Sequence, residues 1–468
     1  MKRILLYSDN RQIDRQAIMP TDYYALWENW SRTGGNVGNK VFLRAVEQYL
    51  TKPDIQLGYY RPNMTAEEIN QNYDMVVDPE ANLFNMAYIQ KMESRSFLIE
   101  KLKIPFYVVG IGIQADKWEQ GKELAKVIKN PAQRFIYAVY STGGEIGTRG
   151  YITKEWMDIV CHNSAEVIGC PSMYQKGRDL TIDNKKVGKE EFRCVINGHV
   201  PDFIYDKKLQ TCIYYFLDRL WYMDQDEFIK VLYCKELEGR KNISIKEVVK
   251  LLYQYNFFIV KELLCQGKVK LIYDLKKWEE FLLENQISFS FGSRIHGNIW
   301  SILNQIPAIV WTRDLRTYEM ADFYKIPYIQ MISSGKDLYD MYMDADYTAF
   351  NKGFGKKFDY FEEFLVKHNI TYNISDNAYF CNKYGFLRYE NTCVNKEYLL
   401  GVLETLGKYT SFFQWVDKMK TAELELKVLL RKYHCGFIKE TFRFFGGGIE
   451  IGKWQNKFQG SIFAVDIG

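Results

Sequence analysis

Apolar runs of strand length alternate with stretches of helical spacing along most of the chain. Lys2–Ser8 (KRILLYS) reads as a buried strand. A polar and aromatic loop follows. Gly34–Leu50 (GGNVGNKVFLRAVEQYL) then turns on its glycines and sets Val41, Phe42, Val46 and Tyr49/Leu50 at helical spacing. Tyr73–Val77 reads as a strand and Leu83–Leu102 as a helix. PFYVVGIGIQ reads as a strand ending in a glycine turn, and RFIYAVYST and AEVIGCPS as further β-like runs. The polar stretch Asp183–Glu191 reads as a linker. After it come the strand FRCVING, a helix-rich insert around Asp218–Val260, the strand KVKLIYD and a helix over Leu275–Glu284. ISFSFGSR, a helix over Ile295–Asn304 and the strand PAIVWT complete the second series. Beyond Asp376 the pattern changes to long helical stretches such as KTAELELKVLLRKYH.

Strand–helix alternation on both sides of a linker predicts an α/β protein of two doubly wound, Rossmann-like domains facing a cleft, a GT-B-like arrangement. The expected divisions are 1–182, 192–375 carrying the RIHG motif, and a helical extension over 376–468 of unassigned role. The length of 468 residues agrees, being too great for one core.

Charge excludes one class of function. The 62 basic and 58 acidic residues leave a formal net charge of +4, too balanced for nucleic acid binding. The nine cysteines are scattered, without a CxxC pair, and read as reduced thiols. The N-terminus lacks the pattern of a signal peptide, and no apolar run reaches the roughly 18 residues of a spanning helix. A cytoplasmic protein is expected, with peripheral contact at the inner membrane face allowed by the basic, amphipathic C-terminal stretch.

The segment Ile287–Arg316 concentrates the candidate chemistry. A β-like run ends at Gly292, and Ser293, Arg294 and His296 stand just before a helix, with Gly297 permitting close approach. A helix N-terminus favours anions, and a guanidinium and an imidazole added there make a site for phosphate or carboxylate. Arg313 and Arg316 follow the next strand and extend the cationic set. Arg149 sits in the glycine turn GTRGYIT. Gly35, Asn36, Gly38 and Asn39 of GGNVGNK offer backbone N–H groups at a helix start, without matching a P-loop or GxGxxG. No metal-ligand spacing and no GxSxG elbow occur, so no metal and no cofactor are expected.

These pieces, in order, resemble the polysaccharide pyruvyl transferase family: GGNVGNK, GIGIQ, GTRGYIT, VIGCPS and FGSRIHGNIWSILNQIPAIVWTRDLRTYEMADFYKIP, spanning roughly Lys2 to Pro327. The resemblance implies a GT-B-like fold, phosphoenolpyruvate as donor and a pyruvate ketal on a glycan or lipid-linked sugar as product. It assigns the family's late arginine and histidine to Arg294 and His296, and its mid-chain arginine to Arg149. Asn39 stands where family members often carry an acidic residue. Two other readings are a nucleotide-sugar glycosyltransferase of the same architecture and a non-catalytic assembly protein at a membrane surface.

Overall fold

The computed structural model describes residues 1–7, 36–162, 165–183, 185–199, 206–225, 262–263, 266–272, 275–332 and 336–370. Two all-parallel sheets of six strands organise them. The first contains β1 (Lys2–Leu6), β2 (Ile55–Tyr59), β3 (Met75–Pro79), β4 (Phe106–Ile111), β5 (Ile146–Thr148) and β6 (Glu166–Val167), in the order β2-β1-β3-β4-β5-β6. The second contains β7 (Cys194–Ile196), β8 (Leu220–Asp224), β9 (Val269–Leu271), β10 (Phe289–Gly292), β11 (Ala308–Trp311) and β12 (Tyr328–Ile329), in the order β12-β11-β10-β7-β8-β9. Each order reverses once, at β1/β3 in the first sheet and at β7/β10 in the second. Crevices that take ligands in doubly wound sheets lie beyond the strand ends at such reversals.

Helices cover the sheets. Between the strands of the first half run α1 (Asn39–Leu50), α2 (Ala66–Asn72), α3 (Ile89–Ile99), α4 (Trp118–Val127), α5 (Lys129–Ser141) and α6 (Tyr151–Cys161). The second half carries α7 (Lys207–Tyr214), α8 (Leu275–Glu284), α9 (Ile295–Leu303), α10 (Leu315–Tyr324), α11 (Leu338–Asp344) and α12 (Thr348–Lys367). The strands β3 and β4 are buried along their whole length, as expected of inner parallel strands with both faces covered. Leu5, Val76, Phe106, Val108 and Ile146 form the sheet side of the first core, with Phe84, Phe135 and Trp156 packed on it.

The α12 helix owes its position to a stripe of phenylalanines. Phe350, Phe354, Phe358, Phe361 and Phe364 recur on one face and are buried. Phe361 stacks on Tyr174 at 4.7 Å and meets Tyr49 at 5.3 Å, and Lys367 pairs with Glu166. A helix that follows the second sheet in sequence thus packs against residues of the first half. All described residues fall in one compact unit, Met1–Asp417.

The expected architecture holds: two doubly wound parallel sheets, with the change of sheet falling between Val167 and Cys194. Some elements differ. RFIYAVYST is helical, as the end of α5. Its aromatic and β-branched residues favour strands in isolation, yet Ala132, Phe135, Ile136 and Val139 share one buried helical face. The helix expected from Leu83 begins at Ile89, because Leu83–Phe84 is extended and Phe84 bridges Ile113. The insert expected to be helix-rich from Asp218 opens with the strand β8. Its remainder to Val260 and the extension 376–468 lie outside the described residues. No helix among the described residues is long and apolar enough to cross a membrane.

Candidate active site

The carboxyl ends of the two sheets meet. In the second sheet β7 ends at Ile196, just before Asn197, and β10 at Gly292, side by side at the strand-order reversal. The Arg294 N–H donates to Asn197 C=O at 2.7 Å, and Asn197 N–H to Phe291 C=O at 2.7 Å. Asn197 Nδ2 donates to Ser290 Oγ (2.8 Å), Ser290 Oγ to Asn298 Oδ1 (2.8 Å), and Asn298 Nδ2 to Gly292 C=O (2.8 Å). This buried polar chain fixes the turn that delivers Arg294 to the N-cap of α9 and His296 to its first turn.

Gly297 is explained by close packing. A Cβ there would lie 2.2 Å from Asn197 Oδ1 and 2.5 Å from Gln225 Nε2. The close approach expected at this glycine is therefore to protein side chains. Gln225 also accepts the N–H of Val37 on its backbone carbonyl at 2.9 Å, which holds the turn before α1 against the second half.

His296 is 5% exposed. Its ring lies 5.3 Å from that of Phe42 on α1, and its Nε2 faces Cys170 Sγ at 3.8 Å. Cys170 is fully buried and its sulfur lies 3.0 Å from Ser172 Oγ. Burial, then repulsion from Arg149 and Arg316, holds the His296 pKa well below its ordinary value. The imidazole is neutral near pH 7 with no anion bound.

Arg149 comes from the first half, beyond β5. It is 0% exposed. Its Nε donates to Gly110 C=O at 2.6 Å and its guanidinium lies 5.5 Å from the centre of the Phe42 ring. Among the described residues, Nη1 reaches only Met320 Sδ at 3.6 Å, and Nη2 is buried with no hydrogen-bond partner. A buried charged donor without an acceptor is costly unless a ligand completes it.

Arg316, on α10, has a side chain 20% exposed and sits 3.5 Å from Asp314 Oδ2. Burial lowers its pKa, Asp314 opposes that, and the repulsion of Arg149 and Arg294 adds to the lowering. Arg294 Nη2 lies 2.9 Å from His199 Nδ1. The structure therefore brings Arg149 together with Arg294, His296 and Arg316 of the distant segment Ile287–Arg316.

Other expected residues fall less centrally. Ser293 is buried beside Arg294. Arg313 is exposed and lies over the Trp311 ring at 4.5 Å. Asn36 Oδ1 accepts the Gly38 N–H at 2.7 Å, closing the turn before α1, and a Cβ on Gly38 would lie 3.2 Å from His296 Cβ. The first glycine motif thus packs on the histidine. Asn39 is the first residue of α1, and Gly35 lies outside the described residues.

Two further groups at the site carry no signal in the sequence. Cys170 reads there only as part of a glycine-containing strand end. Glu319 is 2% exposed on α10, and its carboxylate accepts Thr153 N–H at 2.6 Å and Thr153 Oγ–H at 2.7 Å. Burial raises its pKa to about 7, against the Thr153 bonds, Arg149 and the Ile152 N–H. A single acidic residue inside an amphipathic helix does not announce such an environment.

The family model described as polysaccharide pyruvyl transferase matches residues 10–314. Among curated proteins nothing matches. Solved structures similar to the chain include an uncharacterised protein from Klebsiella pneumoniae (11% identity, 70% of this chain and 94% of that one, TM-score 0.35). Another is S. aureus MnaA with UDP (11%, 84% and 99%, TM-score 0.36). A third is the glycosyltransferase SnogD from Streptomyces nogalater (10%, 78% and 95%, TM-score 0.31). Likeness at that level carries no weight for function. The family match covers well over half the chain, including the Arg149 turn and the RIHG helix start, and the chain belongs to the polysaccharide pyruvyl transferase family, a family of transferases.

Proposed function

We propose that this transferase uses phosphoenolpyruvate to place a pyruvate ketal on a sugar of a polysaccharide or its precursor, releasing phosphate. The observation that carries the reading is the convergence of Arg149, Arg294 and Arg316 around a buried, neutral His296. Phosphoenolpyruvate has an anion at each end, and guanidinium forks bind carboxylate and phosphate with two parallel bonds. Arg149 Nη2, buried and without a partner among the described residues, supplies one such donor.

In this reading one sugar hydroxyl adds to C2 of the enol and a proton goes to C3, giving a methyl group and a tetrahedral centre. The C2–O bond to phosphate then breaks, and a second hydroxyl of the same sugar closes the ketal. The proton from the second hydroxyl leaves with phosphate, so the diol loses two hydrogens and the products are ketal and inorganic phosphate. His296 is the group suited to deliver the C3 proton. The bound anion offsets the repulsion from the arginines and raises the histidine's pKa, so the acid form arises mainly when donor is present. Exopolysaccharide synthesis in the cytoplasm, with contact at the membrane when the acceptor is lipid-linked, fits this chemistry.

The test is phosphate release from phosphoenolpyruvate with a panel of free and lipid-linked glycans. Release that depends on a glycan and on Arg149 is expected. Binding of UDP-sugars with no response to phosphoenolpyruvate would replace this reading with glycosyl transfer.

A further inference from the structure

At the carboxyl edge of the first sheet two loops lie side by side. Phe84 bridges Ile113, and Gln114 N–H donates to Phe84 C=O at 3.1 Å. The Gln114 Oε1 atom accepts from Asn85 Nδ2 at 3.0 Å and also from Asn82 Nδ2. Three half-buried side-chain amides thus share one spot. Among the described residues, Gln114 Nε2 donates to no protein group and Asn82 Oδ1 accepts from none. Beside them Tyr88 is half-buried, with Lys91 5.2 Å from the centre of its ring, and Met86 is 55% exposed.

This ledge adjoins the cationic site. Gly112, two residues before Gln114, is packed so closely that a Cβ would lie 3.3 Å from Arg149 Cδ and 3.0 Å from the Ala81 carbonyl. Leu315 N–H donates to Ala115 C=O at 2.8 Å, bringing the start of α10 and Arg316 to the same loop. Arg316 in turn lies within electrostatic reach of Tyr88.

We propose that Asn82, Gln114 and Tyr88 form the acceptor subsite, binding a pyranose that presents a free diol toward Arg149 and His296. This rests on the pyruvyl-transfer reading for the direction of the diol. A ketal joins one carbon to two oxygens of the same sugar, so the acceptor must offer two neighbouring hydroxyls. Each hydroxyl both donates and accepts, and a side-chain amide presents a donor and an acceptor in one plane, so the Gln114 Nε2 donor and the Asn82 Oδ1 acceptor match such a pair. The Tyr88 ring offers an apolar face to the C–H side of the pyranose and a hydroxyl at its rim. The three amides and the aromatic are themselves uncharged, which suits a neutral sugar.

The experiment uses the full chain and an immobilised panel of oligosaccharides ending in hexoses or N-acetylhexosamines, each free or with its terminal hydroxyls methylated. Wild type is expected to retain a subset of the free glycans and to lose their methylated forms. Tyr88→Leu, which keeps apolar bulk without the flat face, and Asn82→Ala/Gln114→Ala are expected to weaken retention at least tenfold. Unchanged thermal midpoints verify that these variants fold. Calorimetric binding of phosphoenolpyruvate on the same samples should be unchanged within about twofold. Variants that retain the glycans like wild type, or a wild type that retains none, overturn the subsite. Loss of phosphoenolpyruvate binding by wild type with glycan retention intact overturns the donor reading and leaves the subsite standing.

Discussion

Glu319 reaches across from α10 to the first turn of α6, taking the Thr153 N–H at 2.6 Å and the Thr153 hydroxyl at 2.7 Å. The contact joins the element that carries Arg316 to the element that follows Arg149. Its carboxyl titrates at about 7, because burial outweighs the bonds it accepts. A folded-state pKa above the unfolded value near 4.3 gives stability that is full below the unfolded pKa and is lost as pH rises through 7.

Glu319→Gln is therefore expected to lose this pH dependence. The difference in unfolding free energy, variant minus wild type, should grow as pH rises from about 4.5 to about 7 and flatten above. A tenfold change in the carboxyl's proton affinity corresponds to ~1.4 kcal/mol, which sets the limit of the difference at about 4 kcal/mol. His296 titrates with the opposite sign, losing stability as pH falls below its ordinary value, and cancels in the difference. Urea titrations at several pH values measure it.

Arg149→Ala is expected to weaken phosphoenolpyruvate binding by roughly 10- to 100-fold, the scale of a buried charge-assisted pair. Arg149→Lys should rescue poorly, because the native Nε is already committed to Gly110 C=O and a lysine has no second fork. Calorimetry with the donor alone reads both. Arg294→Ala is expected to behave similarly.

His296→Asn is expected to reduce single-turnover rates by ~10²–10⁴-fold with a smaller change in donor affinity. Because the imidazole is neutral in the empty site and gains a proton with donor, wild type should take up more protons on donor binding near pH 7 than the variant does. Binding heats in buffers of different ionisation enthalpy give that difference. Equal uptake in both proteins would remove His296 from the proton inventory.

Cys170→Ala is expected to slow turnover by a few-fold to about tenfold, the size of one net hydrogen bond, while Cys170→Ser stays near wild type. The sulfur 3.8 Å from His296 Nε2 orients the ring, and a hydroxyl keeps that function. Pre-steady-state rates at saturating donor separate the two variants.

Gly297→Ala is expected to destabilise by ~1–3 kcal/mol, because its methyl group would overlap Asn197 and Gln225. Thermal unfolding checks it.

The fold is legible in the sequence where the chain is most regular. Alternating buried strands and helices forecast both sheets, and the pattern of a strand ending at Gly292 before a helix places Arg294 and His296 at the start of α9, where they are found. The helix α5 departs from its local pattern because Phe135, Ile136 and Val139 carry strand preference, and tertiary burial decides their state. Cys170 and Glu319 are illegible for a different reason. Their environment is made by the meeting of the two halves, 126 residues apart for Cys170 and His296 and 166 for Thr153 and Glu319. Local pattern contains no information about which distant surfaces touch. Arg313 shows the converse: its spacing groups it with the cationic set, and Trp311 holds it at the surface.

The cations of the site are divided: Arg149 belongs to the first sheet's half, while Arg294, His296 and Arg316 belong to the second. A shortened chain ending before Cys194 would keep one guanidinium and lose the α12 cover on Tyr174 and Tyr49, and a chain beginning there would keep the histidine without Arg149. Neither fragment is expected to keep a fraction of the proposed activity. The cationic set is complete only with both halves in register, so a change that separates them is expected to cost far more activity than the loss of one side-chain contact within the site.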